Sequence, residues 1–424
     1  MGSAVSAAIE AAYRSDWGRI VATLIKLVGD FDFAEECLQE AFTAAVEQWE
    51  KSGIPDVPAA WLLQTARHKA IDRIRRQHRY SEKLQSLVAS GMLPTQEETK
   101  YNPDDIPDER LRLIFTCCHP ALAPEAQVAL TLHTLCGFET DEIARAFLVS
   151  STTMAQRLVR AKRKIRDARI PYVVPPLQYM PERLQSVLAA IYLVFNEGYA
   201  ATHGNTLLRL DLCGEAIRLC RLIRELMQPR PPNETTGLLA LMLLHDARRE
   251  ARHDTHGDLI LLEDQDRTLW NGAQIREGLA LADAAMNGSP GPYALQASIA
   301  AVHCRAMRAN ETDWREIRRL YDLLEIAQPS PIVSLNRAVA LAMVEGPARA
   351  LSVIDEIGAT GQLENFHLFH AARADFLRRT GDSAGALTSY QRALALVSND
   401  AEKRYLEQRL KELQDPAASS TGSR

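Results

Sequence analysis

Between Arg157 and Arg169 the chain carries seven cations, Arg157, Arg160, Lys162, Arg163, Lys164, Arg166 and Arg169, against one acid, Asp167. That density suits a polyanion. Lysine and arginine neutralise phosphates and release the counterions condensed on them, while arginine and glutamine also read purine edges in a major groove. Met154, Leu158, Ala161 and Ile165 recur at helical spacing, so a helix here buries one apolar stripe and leaves its other faces free. From Asp141 a shorter helix and a turn precede it, a helix-turn-helix pattern whose second helix enters a major groove by its N-terminal part. Ser151, Thr152, Thr153, Gln156, Arg157 and Arg160 fall there, and Lys164 falls further along, where cations mostly meet phosphates. A lone basic amphipathic helix is as readily a solvated surface; the preceding helix, the turn and a second basic patch upstream favour DNA.

That second patch runs from Pro58 to Arg79 and sets Trp61 ahead of six cations, beginning with Arg67 and including Arg73, Arg75 and Arg76, with His68 among them. An aromatic beside cations suits single-stranded DNA, because bases stack on the ring while the cations follow the phosphates; taken alone, a helical tryptophan is more often core. Just before it, Asp32, Glu35, Glu36, Gln39 and Glu40 put acids and an amide on one helical surface, suited to another protein's basic helix.

A different chemistry is conceivable further on. His245-Asp246 and His253-Asp254, with His203 and Asp258, are residue types that hold a divalent metal and activate water. Arg248, Arg249 and Arg252 stand among them and would oppose a cation. The ordinary alternative is that His245, Asp246, Arg248, Asp264, Asp266 and Arg267 form buried polar pairs between helices. Cys117-Cys118-His119 lacks the spaced second cysteine of a zinc site. No catalytic residue, metal or cofactor is expected.

The elements that position these residues read as an all-α protein. Apolar residues recur at three and four throughout, and alternating β-branched runs are scarce. The 424 residues, 46% apolar and 24% charged, allow two or three soluble domains, and a net charge of −5 means the basic character is local. Seven cysteines, an odd number without framework spacing, read as buried thiols of a reducing compartment. The longest apolar run, 187–195, falls short of the ~20 residues that span a bilayer, and the N-terminus has no signal-peptide pattern. A cytoplasmic protein without a membrane segment is the expectation.

The organisation follows: a helical domain over 5–80, an acidic linker over 81–108, a helix-turn-helix domain over 109–170 and a helical extension over 171–424. The extension repeats itself. Ala350 with Ile354, and Ala386 with Tyr390, are anchors 36 residues apart, close to the ~34 of a tetratricopeptide repeat, and a poorer copy spans Tyr293 to Leu324. Plain helical hairpins are the alternative.

Taken together, the acidic motif, the Trp-Leu…Ala-Arg…Ala-Ile-Asp-x-x-Arg-Arg helix and the basic helix-turn-helix resemble the extracytoplasmic-function (ECF) sigma factors of bacterial RNA polymerase, over about a third of the chain. The longer C-terminal part is similar to the ECF group with a large tetratricopeptide-like extension. The resemblance implies a sigma-two domain, a sigma-four domain and the extension, with core RNA polymerase and promoter DNA as partners. It implies that Asp32, Glu35, Glu36, Gln39 and Glu40 dock on the polymerase. Trp61, Arg67, His68, Arg73, Arg75 and Arg76 would engage the −10 element, and Ser151, Thr152, Thr153, Gln156, Arg157, Arg160 and Lys164 the −35 element. The extension would regulate activity and offer a surface for a protein or peptide. His68 stands where many ECF factors have Asn, and Leu148 where the turn often has Gly. A one-component helix-turn-helix regulator with a repeat sensor is the alternative; it leaves Asp32 to Arg76 without a role.

Overall fold

The computed structural model describes residues 2–77, 108–147, 149–200, 206–252, 254, 258–397 and 400–414. These residues form α-helices joined by short turns, with no β-strand among them, and divide into two compact units, Met1–Val194 and Phe195–Arg424. The acidic segment up to residue 107 and Leu148 lie outside the described residues.

In the first unit α1 (Gly2–Val28), α2 (Phe31–Ser52) and α3 (Pro58–Gln77) pack together. Asp30 starts α2 by accepting from the Phe33 N–H at 2.9 Å, and Gly53, at φ 86°, ends it in a conformation other residues resist. Trp17, Ile20, Val21 and Leu24 of α1 are buried, as are Leu38 and Ala41 of α2 and Leu62, Leu63 and Ala66 of α3. A second group follows: α4 (Arg110–Cys117), α5 (Pro124–Leu130) running into one π-helical turn, Thr131–Leu135, then α6 (Thr140–Ala146) and α7 (Ser151–Asp167).

The two groups, which the sequence sets apart with a linker, are held against each other. Trp17 Nε1 donates to the Thr134 carbonyl at 3.1 Å and the Tyr13 hydroxyl donates to the Gly137 carbonyl at 2.9 Å. A π turn displaces carbonyls from the α-helical ladder and so leaves acceptors for an adjoining helix. Gly18 makes the approach possible, because a Cβ there would stand 2.2 Å from the Leu135 carbonyl oxygen. The Tyr172 hydroxyl also donates to the Ala22 carbonyl at 2.8 Å. Helix α8 (Met180–Ala200) begins in this unit, where Arg183 donates to the Phe115 carbonyl at 2.5 Å, and the division between units falls within it.

The second unit continues through α9 (Thr206–Leu226), α10 (Asn233–Asp246), α11 (Gly272–Ala285), α12 (Pro292–Arg305), α13 (Trp314–Ala327), α14 (Pro331–Glu345), α15 (Pro347–Ala359), α16 (His367–Thr380), α17 (Ser383–Leu396) and α18 (Asp400–Gln414). The repeat anchors fall where expected: Ala350 and Ala386 are fully buried in α15 and α17, with Ile354 and Tyr390 buried one turn later. Small residues there let paired helices close up. Over the poorer copy, Leu295 and Ile299 of α12 share a core with Ile317, Leu320 and Leu324 of α13, and Ala340 of α14 joins them, a packing that a plain helical hairpin gives as well. Leu406 and Leu410 of α18 cover the last hairpin.

Candidate nucleic-acid interface

Helix α7 divides its faces as its pattern requires. Met154, Leu158, Ala161 and Ile165 are buried, whereas Ser151, Thr152, Thr153, Gln156, Arg160 and Lys164 are exposed and Arg157 is half-buried. Ser150 fixes the start of the helix, accepting from the Thr153 N–H at 3.1 Å and meeting the Thr153 hydroxyl at 2.8 Å. The N-terminal turns thus present hydroxyls, an amide and guanidinium groups behind a capped end.

On α3, Trp61 is half-buried with its ring edge-on to Trp49, 5.5 Å between centroids, so only part of it is open to stacking. His68 and Arg75 are exposed and Arg67 is half-buried; the side chain of Arg76 lies outside the described residues. Arg73 pairs with Glu36 at 2.7 Å and Glu40 at 3.5 Å, and its guanidinium lies 5.7 Å from the centroid of the Phe33 ring. Lys69 joins Glu40 at 3.4 Å. The sequence assigns Arg73 to nucleic acid and Glu36 and Glu40 to a protein; the structure ties them together across α2 and α3. These are exposed pairs, worth about 0–1 kcal/mol each, weak enough for either side to exchange its partner. Gln39 is exposed beside them.

Glu35 departs from that open surface. It is 7% exposed, and its carboxylate accepts from Lys162 Nζ of α7 at 2.7 Å and from the Thr134 hydroxyl at 3.0 Å, with His133 Nε2 at 3.4 Å. Lys162 also donates to Asp32 at 2.8 Å and keeps only 10% of its side chain exposed. Burial alone would raise the Glu35 pKa, but the His133 hydrogen bond and the Lys162 charge reverse this and hold it below the usual range. Burial would lower His133, and Glu35 raises it instead. Lys162 is therefore not one of the free cations of α7. Sequence reasoning missed Lys162, His133 and Thr134 as partners of Glu35. A signal exists for Lys162: it lies four residues after Leu158 and three before Ile165, on the flank of the buried stripe.

The other candidates disperse. Asp246 engages Arg249 and accepts from Gln274 Nε2 at 2.7 Å, whereas His245 Nδ1 meets the Tyr199 hydroxyl at 3.2 Å. His203 and His253 lie outside the described residues, and no group of three potential metal ligands comes together among those described. Cys117 and Cys118 are buried; burial pushes the Cys118 thiol up to about 11, although the Thr131 hydroxyl sits 3.4 Å away. His119 instead accepts from the Ala121 N–H at 3.1 Å. Among the described residues no helix is long and apolar enough to cross a membrane.

Comparison with known proteins matches the sequence of these two regions to sigma factors. The family model for sigma-70 region 2 matches residues 13–80 and that for sigma-70 region 4 matches residues 112–165, while a family of unknown function, DUF6596, matches residues 183–286. Region 2 thus covers most of α1 to α3, and region 4 the four helices ending in α7. The ECF RNA polymerase sigma factor SigL of Mycobacterium tuberculosis is 30% identical over 143 residues, 34% of this chain and 77% of that one. The probable ECF RNA polymerase sigma factor SigI of the same organism is 27% identical over 179 residues, 40% of this chain and 59% of that one. An uncharacterized protein of Rhizobium meliloti is 43% identical over 393 residues, 92% of both chains, extension included. No solved structure matches. The chain belongs to the ECF sigma factors, and carries beyond their two regions a long helical extension.

Proposed function

We propose that this chain directs core RNA polymerase to promoters, that α7 reads the −35 element, that α3 holds the −10 element, and that the second unit modulates the output. The observation that carries the reading is the division of α7: an apolar stripe anchors it while its capped N-terminal turns leave Gln156 and Arg160 exposed and Arg157 half-open. Ser151, Thr152, Thr153, Gln156, Arg157 and Arg160 are proposed to face bases, and Lys164 phosphate. Trp61, Arg67, His68, Arg73, Arg75 and Arg76 are proposed to hold the −10 strand. Asp32, Glu36, Gln39 and Glu40 form the proposed polymerase-docking surface. Glu35 joins that surface once region 4 lifts from region 2. The compact first unit is then a resting form, in which Lys162, Thr134 and His133 occupy a carboxylate that polymerase would otherwise receive.

The −35 assignment is tested by binding of reconstituted holoenzyme to promoter variants. Arg157→Ala and Arg160→Ala should lose discrimination at particular base pairs, whereas uniform weakening on all sequences would mark phosphate contacts. Modulation by the extension is tested by truncation. The cut belongs after Val194 rather than at the start of the expected extension, residue 171, because Leu184, Val187 and Leu188 of α8 are buried and Arg183 bonds to Phe115. Promoter output should change markedly on truncation; unchanged output in cells and in vitro would reject a regulatory role.

A further inference from the structure

The second unit concentrates positive charge at three arginines that form no ion pair with an acid among the described residues. Arg248, Arg252 and Arg267 gather around Tyr199 and Trp270, on the segment that links α10 to α11. The Arg252 guanidinium lies 3.8 Å from the centroid of the Tyr199 ring and donates to the Tyr199 carbonyl at 2.7 Å. Arg248 donates to the Tyr199 hydroxyl at 3.3 Å and to His245 Nδ1 at 3.4 Å. Arg267 donates to the carbonyls of His303 and Ala306 at 2.8 and 2.6 Å, where α12 ends, and lies 4.4 Å from the Trp270 ring centroid, with Arg248 at 5.8 Å from the same ring.

Every one of these partners is neutral. The acids that the sequence offers nearby are engaged elsewhere: Asp246 by Arg249 and Gln274, Asp258 by Arg404, and Asp266 by the Thr268 N–H at 2.9 Å. Asp264 is exposed. Glu311 attracts Arg267 without forming an ion pair. The pairing expected among His245, Asp246, Arg248, Asp264, Asp266 and Arg267 is thus only the contact of His245 with Arg248. A guanidinium has five N–H donors, and two long bonds leave most of those on Arg248 without a protein acceptor among the described residues. Two further observations register the same imbalance. Burial and the guanidinium charges push His245 down to about 3 and His303 down to about 4, so both stay neutral near pH 7. Trp270, 8% exposed, buries an indole N–H that has no acceptor among the described residues.

Half-buried guanidinium groups and an orphaned N–H donor beside aromatic rings are the complement of an oxyanion, which arginine engages with paired, charge-assisted hydrogen bonds. We propose that this cluster binds a small organic anion through a carboxylate or phosphate group, held by Arg248 and Arg267 beside Trp270. A small molecule suits the site because the arginines are half-buried, not ranged along an open surface. Binding would give the second unit a chemical input; that consequence rests on the regulatory reading above, whereas binding itself does not.

The test uses the full chain, with thermal unfolding and tryptophan fluorescence followed against inorganic phosphate and, separately, succinate at constant ionic strength. We expect saturable binding of at least one probe, a fluorescence response missing in Trp270→Phe, and affinity at least about tenfold weaker in Arg248→Gln and Arg267→Gln. Arg160→Ala, on the DNA-facing helix, should leave binding unchanged. If Arg248→Gln does not fold, Arg248→Lys keeps the charge without the planar fork and should still weaken binding. No saturable response to either anion, or full affinity in the arginine variants, overturns the site. So does loss of binding in Arg160→Ala, or saturation only by an acidic peptide. Anion binding by a protein that fails to support transcription would leave the site standing and remove the sigma reading; the reverse result would do the opposite.

Discussion

Glu35 in the first unit and Arg248 in the second are both charged groups drawn well out of water, but their surroundings differ in sign balance. Glu35 meets Lys162, His133 and the Thr134 hydroxyl, with Asp32 sharing the lysine. Arg248 meets a hydroxyl, an imidazole held neutral and an indole, with two more guanidinium groups nearby. Removing charge from water is costly, and an opposite charge with matched hydrogen bonds recovers most of that cost. A balanced set therefore binds two parts of one chain together, here region 2 to region 4. An unbalanced one is complete only with a counterion from outside.

The largest expected effect breaks the balanced set. Lys162→Met strands Glu35 inside the interface and should destabilise the first unit by about 3–5 kcal/mol, read as a lower midpoint in urea. Adding Glu35→Gln should recover much of that loss, the coupling expected of residues in contact. A loss under about 1 kcal/mol for the single variant would mean the pair behaves as an exposed one. Next comes Gly18→Ala, whose Cβ would meet the Leu135 carbonyl oxygen at 2.2 Å, a contact between two backbones that cannot rotate away. It should cost about 1–3 kcal/mol as overpacking does, and faster hydrogen exchange at residues 131–137 would locate the damage. Arg157→Ala and Arg160→Ala should each forfeit about 1–3 kcal/mol of promoter discrimination at the base pair that the arginine reads, without lowering the thermal midpoint.

A smaller effect concerns pH. His133 is raised in the folded state, so its contribution is fully present below 6.5 and fades as pH rises through its folded value. Glu35 is lowered, so its contribution is present above 4.5 and fades as pH falls through its folded value. These two groups make the first unit most stable between 4.5 and 6.5, and His133→Gln should flatten the alkaline side of a stability profile. Smallest is Gly214→Ala in α9, where a Cβ meets nothing within 4 Å. It should stabilise the second unit by about 0.5–1 kcal/mol through helix propensity alone, a contrast to Gly18 at the same substitution.

Which parts of this were legible in the sequence follows from the range of the interactions. Met154 to Ile165 was readable as a buried stripe because helical periodicity is local, and Ala350 with Ala386 was readable because a repeat imposes the same packing twice. The link from Glu35 to Lys162 spans 127 positions, and no local pattern says which cation meets which acid. The same limit applies to Arg248 and Arg267, for which nearby acids made pairing the natural expectation. Asp266 is drawn to Thr268 by a local turn instead, and Asp246 is taken by Arg249 three residues on. The assignment of Arg73 to DNA met a similar competitor in Glu36 and Glu40 of the adjacent helix.

The most direct test is run-off transcription from genomic fragments with purified core polymerase, with and without the protein, alongside Lys162→Met at a temperature where that variant remains folded. The account predicts discrete new start sites only in the protein's presence, and more transcript from the variant, whose regions separate more easily. Tight binding of promoter duplex by the chain alone, with no new transcript from either form, would contradict it and leave a one-component regulator.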